Sequence, residues 1–321
     1  MLTVRVATDL AECQALWVRA FPQAQITDLW EVRACFLRHF HRRPFFVLAE
    51  DTDGLCGLLP LSWVDEADCF GYFPGETWGG RTWLEQNRIL ARRPGVFEAM
   101  IEACPTPYDI RYLLPLDGES PHDRPVDEIG YLFIPPQFGY DIEAYYASLG
   151  HGFAKKLRKE LRRFEAMDLA WRHDELADFD HMVRLNIERF GDSSYFADAR
   201  FTGSFRDLMH LFRARGWLRM TTALIGGEPA AVDMGVAYGG TYTLIAGGTH
   251  GDYKGVAKVI NLHHIAWGCQ QRFDQLDFLC GDFSWKPLFR LTPRPLYRIT
   301  NPAVVPEHPE HSEAPEPASA L

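Results

Sequence analysis

At 321 residues, with 47% hydrophobic and 13% aromatic side chains, the chain is long for one hydrophobic core and rich enough in apolar residues to fill two. Its net charge of −10, to which Glu307, Glu310, Glu313 and Glu316 contribute, excludes general binding to DNA or RNA through the whole surface. Seven scattered cysteines without a CxxC spacing exclude a disulfide framework and a zinc site, and no metal is expected. No apolar run is long enough to cross a bilayer and no secretion signal opens the chain, so a cytoplasmic globular protein is expected.

In chain order, residues 3–6 read as a strand, followed by a helix from Asp9 with Leu10, Cys13, Leu16 and Trp17 at helical spacing. A second helix spans 28–40. Residues 45–50, 55–63 and 69–73 then alternate as an antiparallel meander, its first joint the turn Asp51-Thr52-Asp53-Gly54. A helix over 94–103 and a strand over 110–114 complete the order β-α-α-β-β-β-α-β. Prolines and glycines between Pro135 and Gly152 break the pattern, which places the domain boundary at 140/141.

The second half repeats the order. A basic helix over 153–167 leads to a strand over 169–172 and helices over 178–190 and 205–215. Three strands, 218–225, 230–237 and 241–246, are joined by the turns Gly226-Gly227-Glu228-Pro229 and Tyr238-Gly239-Gly240. A glycine-containing turn opens a long helix over 256–272, and a short strand over 276–280 follows. Residues 301–321, rich in Pro, Glu, Ser and Ala, read as a disordered tail.

The turn Asp252-Tyr253-Lys254-Gly255-Val256-Ala257 joins a strand to a helix start, where backbone N–H groups and the positive end of the helix dipole suit a pyrophosphate. Gly255 permits close backbone approach, Ala257 keeps the first turn slim and Lys254 offers a cation. A plain loop-to-helix turn is the alternative for this short motif. The basic helix carries Lys155, Lys156, Arg158, Lys159, Arg162 and Arg163 around a stripe of Phe153, Leu157, Leu161 and Phe164. It is either a solvated helix face or an electropositive wall for phosphates or anionic headgroups.

With its basic helix, Gly227-Glu228-Pro229-Ala230-Ala231 between strands, and the ending Leu276-Asp277-Phe278-Leu279-Cys280-Gly281-Asp282-Phe283-Ser284-Trp285-Lys286, the segment from about 150 to 289 resembles a GNAT-like acyltransferase domain. The branch it resembles is that of CelD-type cellulose and exopolysaccharide proteins, related to the FemABX peptidoglycan-bridge transferases. Asp252 replaces the Gln or Arg that usually leads the glycine turn, and Trp285-Lys286 replaces the usual Tyr-Lys. The resemblance implies an α/β fold of two tandem GNAT-like domains, 1–140 and 141–300, each a mixed, mostly antiparallel sheet flanked by helices. It also implies N-acyl transfer with acyl-CoA (acetyl-CoA) as co-substrate, bound by Lys254, Gly255, Val256 and Ala257; it does not fix the acceptor, and an amine of an amino sugar or amino-acid-like molecule in envelope or exopolysaccharide metabolism is the expectation.

For the chemistry, an amine must lose a proton and a thiolate must leave. Asp233, a carboxylate on the face of its strand opposite Val232, Met234 and Val236, and Asp282, just past a strand end, are candidate bases. Asp233 in a structural network is the alternative. Tyr242 and Tyr253 are candidate proton donors, and Lys286, Trp285, Arg158 and Arg162 are candidate substrate contacts. The His263-His264 pair lacks a third ligand, and His263 reads as a core residue. The expected partner is a small molecule or glycan precursor, with peripheral contact to a membrane surface as a further expectation; tRNA is not expected, since no long helical-hairpin arm is present. The rival functions are aminoacyl-tRNA-dependent transfer of the FemABX kind and a catalytically degenerate binding subunit.

Overall fold

The computed structural model describes residues 2–116, 124–281 and 285–301; the expected tail from residue 302 onward lies outside them. The first half follows the expected order: β1 (Thr3–Ala7), α1 (Leu10–Ala20), α2 (Trp30–Phe40), β2 (Pro44–Asp51), β3 (Gly54–Val64), β4 (Cys69–Tyr72), β5 (Leu90–Ala91) and α3 (Val96–Glu102). Asp9 starts α1 by accepting a hydrogen bond from the Glu12 amide at 2.9 Å, the usual cap of a helix N-terminus. The strands form one antiparallel sheet in the order β1-β2-β3-β4, with β5 on β3. Its core gathers around Trp17, Phe46, Phe73 and Leu58.

The second sheet has eight strands and takes members from both sides of the boundary expected at 140/141. These are β6 (Asp109–Leu113), β7 (Val126–Phe133), β8 (Leu169–His173), β9 (Leu218–Ile225), β10 (Glu228–Tyr238), β11 (Thr241–Thr249), β12 (Gln275–Asp277) and β13 (Thr292–Thr300), in the order β6-β13-β7-β12-β11-β10-β9-β8. Among the described strands of this sheet, only β11 and β12 form a parallel ladder. The helices are α4 (Ile142–Ser148), α5 (His151–Glu165), α6 (Asp178–Phe190), α7 (Ala199–Arg215), α8 (Val256–Gln271) and the short α9 (Trp285–Leu288). Three strands, β5, β7 and β13, are not predicted from the sequence pattern. β13 carries Pro293 and Pro295, which obscure a strand signal.

The halves are fused through side chains as well as strands. Phe36 and Phe40 of α2 pack into the second half's aromatic core with Phe179, Phe201 and Phe205. Phe36 lies 6.1 Å from Phe201 and 5.8 Å from Phe205, both edge-on. Trp78, at the head of the two-residue turn closed by Trp78 and Arg81, places its ring 5.4 Å from both Tyr195 and Phe201. The turn Trp78-Gly79-Gly80-Arg81 therefore lines the joint between the halves.

Because a sheet and a core both cross the boundary, urea unfolding is expected to be one cooperative transition. Phe36→Ala should lower stability by about 3–5 kcal/mol, the range for an emptied aromatic core position. Two separate transitions, only one of them moved by the substitution, would show independent halves.

Candidate functional site: a strand fork and a helix start

The second half places three features around β11. The first is a fork. β11 and β12 pair only through Thr241–Gln275, Tyr242–Leu276 and Thr243–Asp277, after which the chain of β12 turns away. It leaves along β7 instead, where the Phe278 amide donates to Tyr131 O at 2.9 Å and the Tyr131 amide donates to Leu279 O at 3.2 Å. Leu279 adopts a left-handed backbone at φ 55°, uncommon for a residue with a Cβ. Lys286 holds this bend. Its buried Nζ donates to Phe278 O, Leu279 O and Cys280 O at 3.1, 2.9 and 2.9 Å, so it turns inward rather than toward a substrate anion. Trp285 also turns inward, its ring 5.2 Å from Phe289 and 6.0 Å from Phe278. Asp282 lies outside the described residues.

The second feature is the start of α8, at the end of β11 away from the paired residues. Gly255 sits at φ 93° before the first helical residue, Val256, which is buried; a Cβ at Gly255 would lie 2.8 Å from Glu160 Oε2. Ala257 and Lys254 are exposed. Asp252 has a side chain 90% exposed and stands 3.9 Å from His250 Nδ1, so its carboxylate points away from the turn. The basic helix α5 lies alongside: Arg163 donates to Lys254 O and pairs with Glu160 at 2.9 Å. Burial, and then the Lys156 charge, hold the Lys258 amine below its usual range. Lys156 and Glu160 thus act in opposite senses on Lys258 near this helix N-terminus. Arg162 is exposed, whereas Arg158 is paired with Glu143 at 2.6 Å and lies over the Tyr146 ring. Tyr253 packs near Phe164 and Val256 at this end.

The third feature is a buried polar chain under α8. Asp233 is opposite Gly247 on β11 and faces α8, while Val232, Met234 and Val236 face α6 and α7, as the alternation predicts. His264 Nε2 lies 3.0 Å from Asp233 Oδ2, and Tyr242 Oη lies 3.1 Å from His264 Nδ1. A carboxylate only accepts, so Nε2 carries the hydrogen and Nδ1 accepts from the tyrosine hydroxyl. Burial, followed by the Asp233 charge, raises the Tyr242 phenol well above its ordinary range. Gly235 makes room for this chain: a Cβ there would meet Tyr242 Oη at 2.3 Å. Asp233 and Tyr242 are therefore brought together, with His264 as the unforeseen link. His263 points elsewhere and stacks on Trp171 with ring centroids 3.8 Å apart.

The first half also reaches the fork. Glu85 is buried and both its oxygens accept from the Cys280 amide, at 2.8 and 3.0 Å; Gln86 donates to Asp277 Oδ2 at 2.7 Å. Asp277 also accepts from Arg294 Nη2 at 2.9 Å. Sequence reasoning misses Glu85 and Gln86 because a polar triplet, Glu85-Gln86-Asn87, looks like a solvated loop. The available signal is Leu84 and Ile89 on either side, since both are core residues.

His263 supplies a pH test of this packing. Burial holds its pKa down to about 3, against 6.5 for a free imidazole, and the nearby His264, His173 and Arg219 add to the effect. Between those values the unfolded chain binds a proton that the folded ring refuses, so stability falls as pH drops below about 6.5. His263→Phe keeps the stack and removes this titration. Urea midpoints at about pH 7.5 and about pH 4.5 should therefore differ less for the variant than for the parent.

Residues 151–287 match a family model described as an acetyltransferase (GNAT) domain. No curated protein matches the sequence. Among solved structures, FemX superposes with a TM-score of 0.55 at 7% identity, over 92% of this chain and 96% of its own. A tandem GNAT protein from the clavulanic acid biosynthesis pathway gives 0.54 at 11% identity, over 94% of this chain and 98% of its own. The C-terminal domain of a putative lysylphosphatidylglycerol synthetase from Agrobacterium fabrum gives 0.50 at 12% identity, over 91% and 93%. At such identities the likeness is one of fold. The fork between β11 and β12, the glycine start of α8 and these matches agree on a GNAT-type fold for the second half, within a tandem GNAT-like architecture.

Proposed function

We propose that the protein is an acyl-CoA-dependent N-acyltransferase whose donor site lies in the second half and whose acceptor is an amine on an amino sugar or amino-acid-like molecule of envelope or exopolysaccharide metabolism. The carrying observation is the fork: β11 and β12 share three residue pairs and then part, which leaves the β12-facing edge of β11 without that partner from Leu244 onward. An extended amide-bearing chain such as pantetheine can hydrogen-bond to a strand edge of this kind, and the start of α8 stands at its far end.

The residues fit such a donor. Gly255 exposes backbone at the helix start, the dipole of the 16-residue α8 favours a pyrophosphate, and Lys254, Lys156 and Lys258 supply cations around it. Arg163 fixes the loop through Lys254 O. Asp252 does not oppose a phosphate, because it faces solvent. Asp233, His264 and Tyr242 pin α8 to β10 and β11 and so position the helix start. Bound acyl-CoA supplies the activated carbonyl; the chain orients it and manages one proton.

The exposed cations of α5, Lys155, Lys159 and Arg162, extend the positive surface outward and are the part of this half suited to anionic headgroups at a membrane surface. A second reading, a degenerate binding subunit, is favoured by Glu160, whose carboxylate stands against Gly255 where a phosphate would approach.

Titration calorimetry with CoA and acetyl-CoA separates the two readings. Binding is expected, and it should weaken about tenfold or more in Gly255→Val and in Lys156→Glu, each tenfold corresponding to about 1.4 kcal/mol. Asp252→Asn should leave it unchanged. If the folded parent protein binds neither CoA nor acetyl-CoA, the donor site is not there.

A further inference from the structure

The fork has two faces. Tyr242, Leu244, Leu276 and Phe278 pack with the core under α8, whereas Thr241, Thr243 and Asp277 border a small polar cavity with Gln25, Ile26 and Gln86 of the first half. An acceptor that meets the donor from the face opposite α8 therefore meets the first half. Glu85 stands behind this lining, next to Gln86, as a buried carboxylate bonded to the first amide beyond the bend at Leu279.

We propose that Glu85 is the catalytic base of the second half's transfer reaction, so that the acyl-transfer site is built from both halves. This rests on the acyltransferase reading above. In the step, the amine nitrogen of the acceptor forms a bond to the thioester carbonyl carbon, the carbon–sulfur bond breaks and its electron pair leaves on sulfur. One amine proton passes to a Glu85 oxygen and is returned through solvent to the departing thiolate, so that amide and CoA thiol are the products.

Three observations carry the assignment. A carboxylate has about four acceptor positions, and the Cys280 amide and thiol together leave capacity to accept from an amine. Its backbone setting is constrained: the adjoining Gln86 has φ 60°, and Leu279, which precedes the Cys280 amide it binds, has φ 55°. Conformations of this kind persist where the surroundings over-determine them, as at functional sites. Third, the groups around it set its proton affinity in the range a base needs. Burial is the largest cause and the Asp277 charge the next, and together they raise Glu85 to about 7, against the hydrogen bonds from Cys280 and the charge of Arg294. Lys286, Glu128 and Tyr112 are the other titratable groups around this end of the fork. The Cys280 thiol is not a competing nucleophile, because burial and Glu85 push its pKa far up.

The test uses the full chain with acetyl-CoA and three amines, glucosamine, glycine and lysine, and reads thiol release and acetylated product. Glu85→Gln keeps an oxygen for the Cys280 amide and removes the base. It should lower kcat by about 100-fold or more, leave the acetyl-CoA Kd and the melting temperature near those of the parent, and abolish the acidic limb of the pH–rate profile. Glu85→Asp, which keeps the charge and withdraws it, should fall between and covers the case in which the glutamine variant does not fold. A glutamine variant with the parental rate and acidic limb overturns the proposal, as does a parent that binds acetyl-CoA yet releases no thiol with any of the three amines. Absence of acetyl-CoA binding overturns the acyltransferase reading itself.

Discussion

Everything around the candidate site depends on how the chain leaves β12. A strand that parts from its neighbour frees backbone groups in a dry interior, where each unpaired one costs about 1–3 kcal/mol. Beyond β12 these groups find partners. Lys286 takes three carbonyls, Tyr131 exchanges two bonds with Phe278 and Leu279, and Glu85 takes the Cys280 amide. Burying an ammonium is unfavourable unless it is fully hydrogen-bonded, and three carbonyls meet that condition. The fork is thus a specified feature and not a frayed strand end. It also explains why Asp277 is tied on three sides, to Gln86, Arg294 and the Leu279 amide.

The start of α8 is a second constraint of the same kind. A helix N-terminus needs acceptors for its first amides, and an anion supplies them well. Around Gly255 the chain gathers lysines from two helices, while the nearby carboxylate of Glu160 is already shared with Arg163. Lys156 weakens the charge of Lys258 while Glu160 supports it, so cations and a carboxylate both stand beside this helix start. The distant polar chain Asp233–His264–Tyr242 serves the same end, since it fixes the middle of α8 over the sheet and with it the direction of the helix start.

Much of this architecture is legible in the amino-acid sequence. Both halves have the expected order of strands and helices, because their alternation and turn residues are strong local signals. Gly255 and the basic face of α5 are legible as well, being features of a few neighbouring residues. The features that are not legible depend on pairing at a distance. β7 and β13 have weak local patterns, and Gly130, Pro293 and Pro295 interrupt them, yet each is fixed by the strands beside it. Lys286 reads as a substrate contact until the bend beneath it is known. His264 resembles, with His263, half of an incomplete metal pair, although the step of about 100° between neighbouring residues of α8 sends the two rings to different partners. Glu85 is the hardest, since its meaning comes entirely from Cys280, far along the chain.

The division into halves needs the same correction. The segment 151–287 that matches the GNAT family model contains the fork but not the strand that backs it. β12 pairs on its outer edge with β7, through Leu276–Phe133 and Asp277–Leu132, and β7 pairs in turn with β13. β7 precedes the matched segment and β13 follows it. Removed from its surroundings, that segment would expose the edge of β12, lose both bonds to Tyr131 and leave the Cys280 amide without Glu85. The first half is therefore part of the physical definition of the second half's site: it supplies the strand that draws β12 away from β11, and the carboxylate that closes the gap so formed.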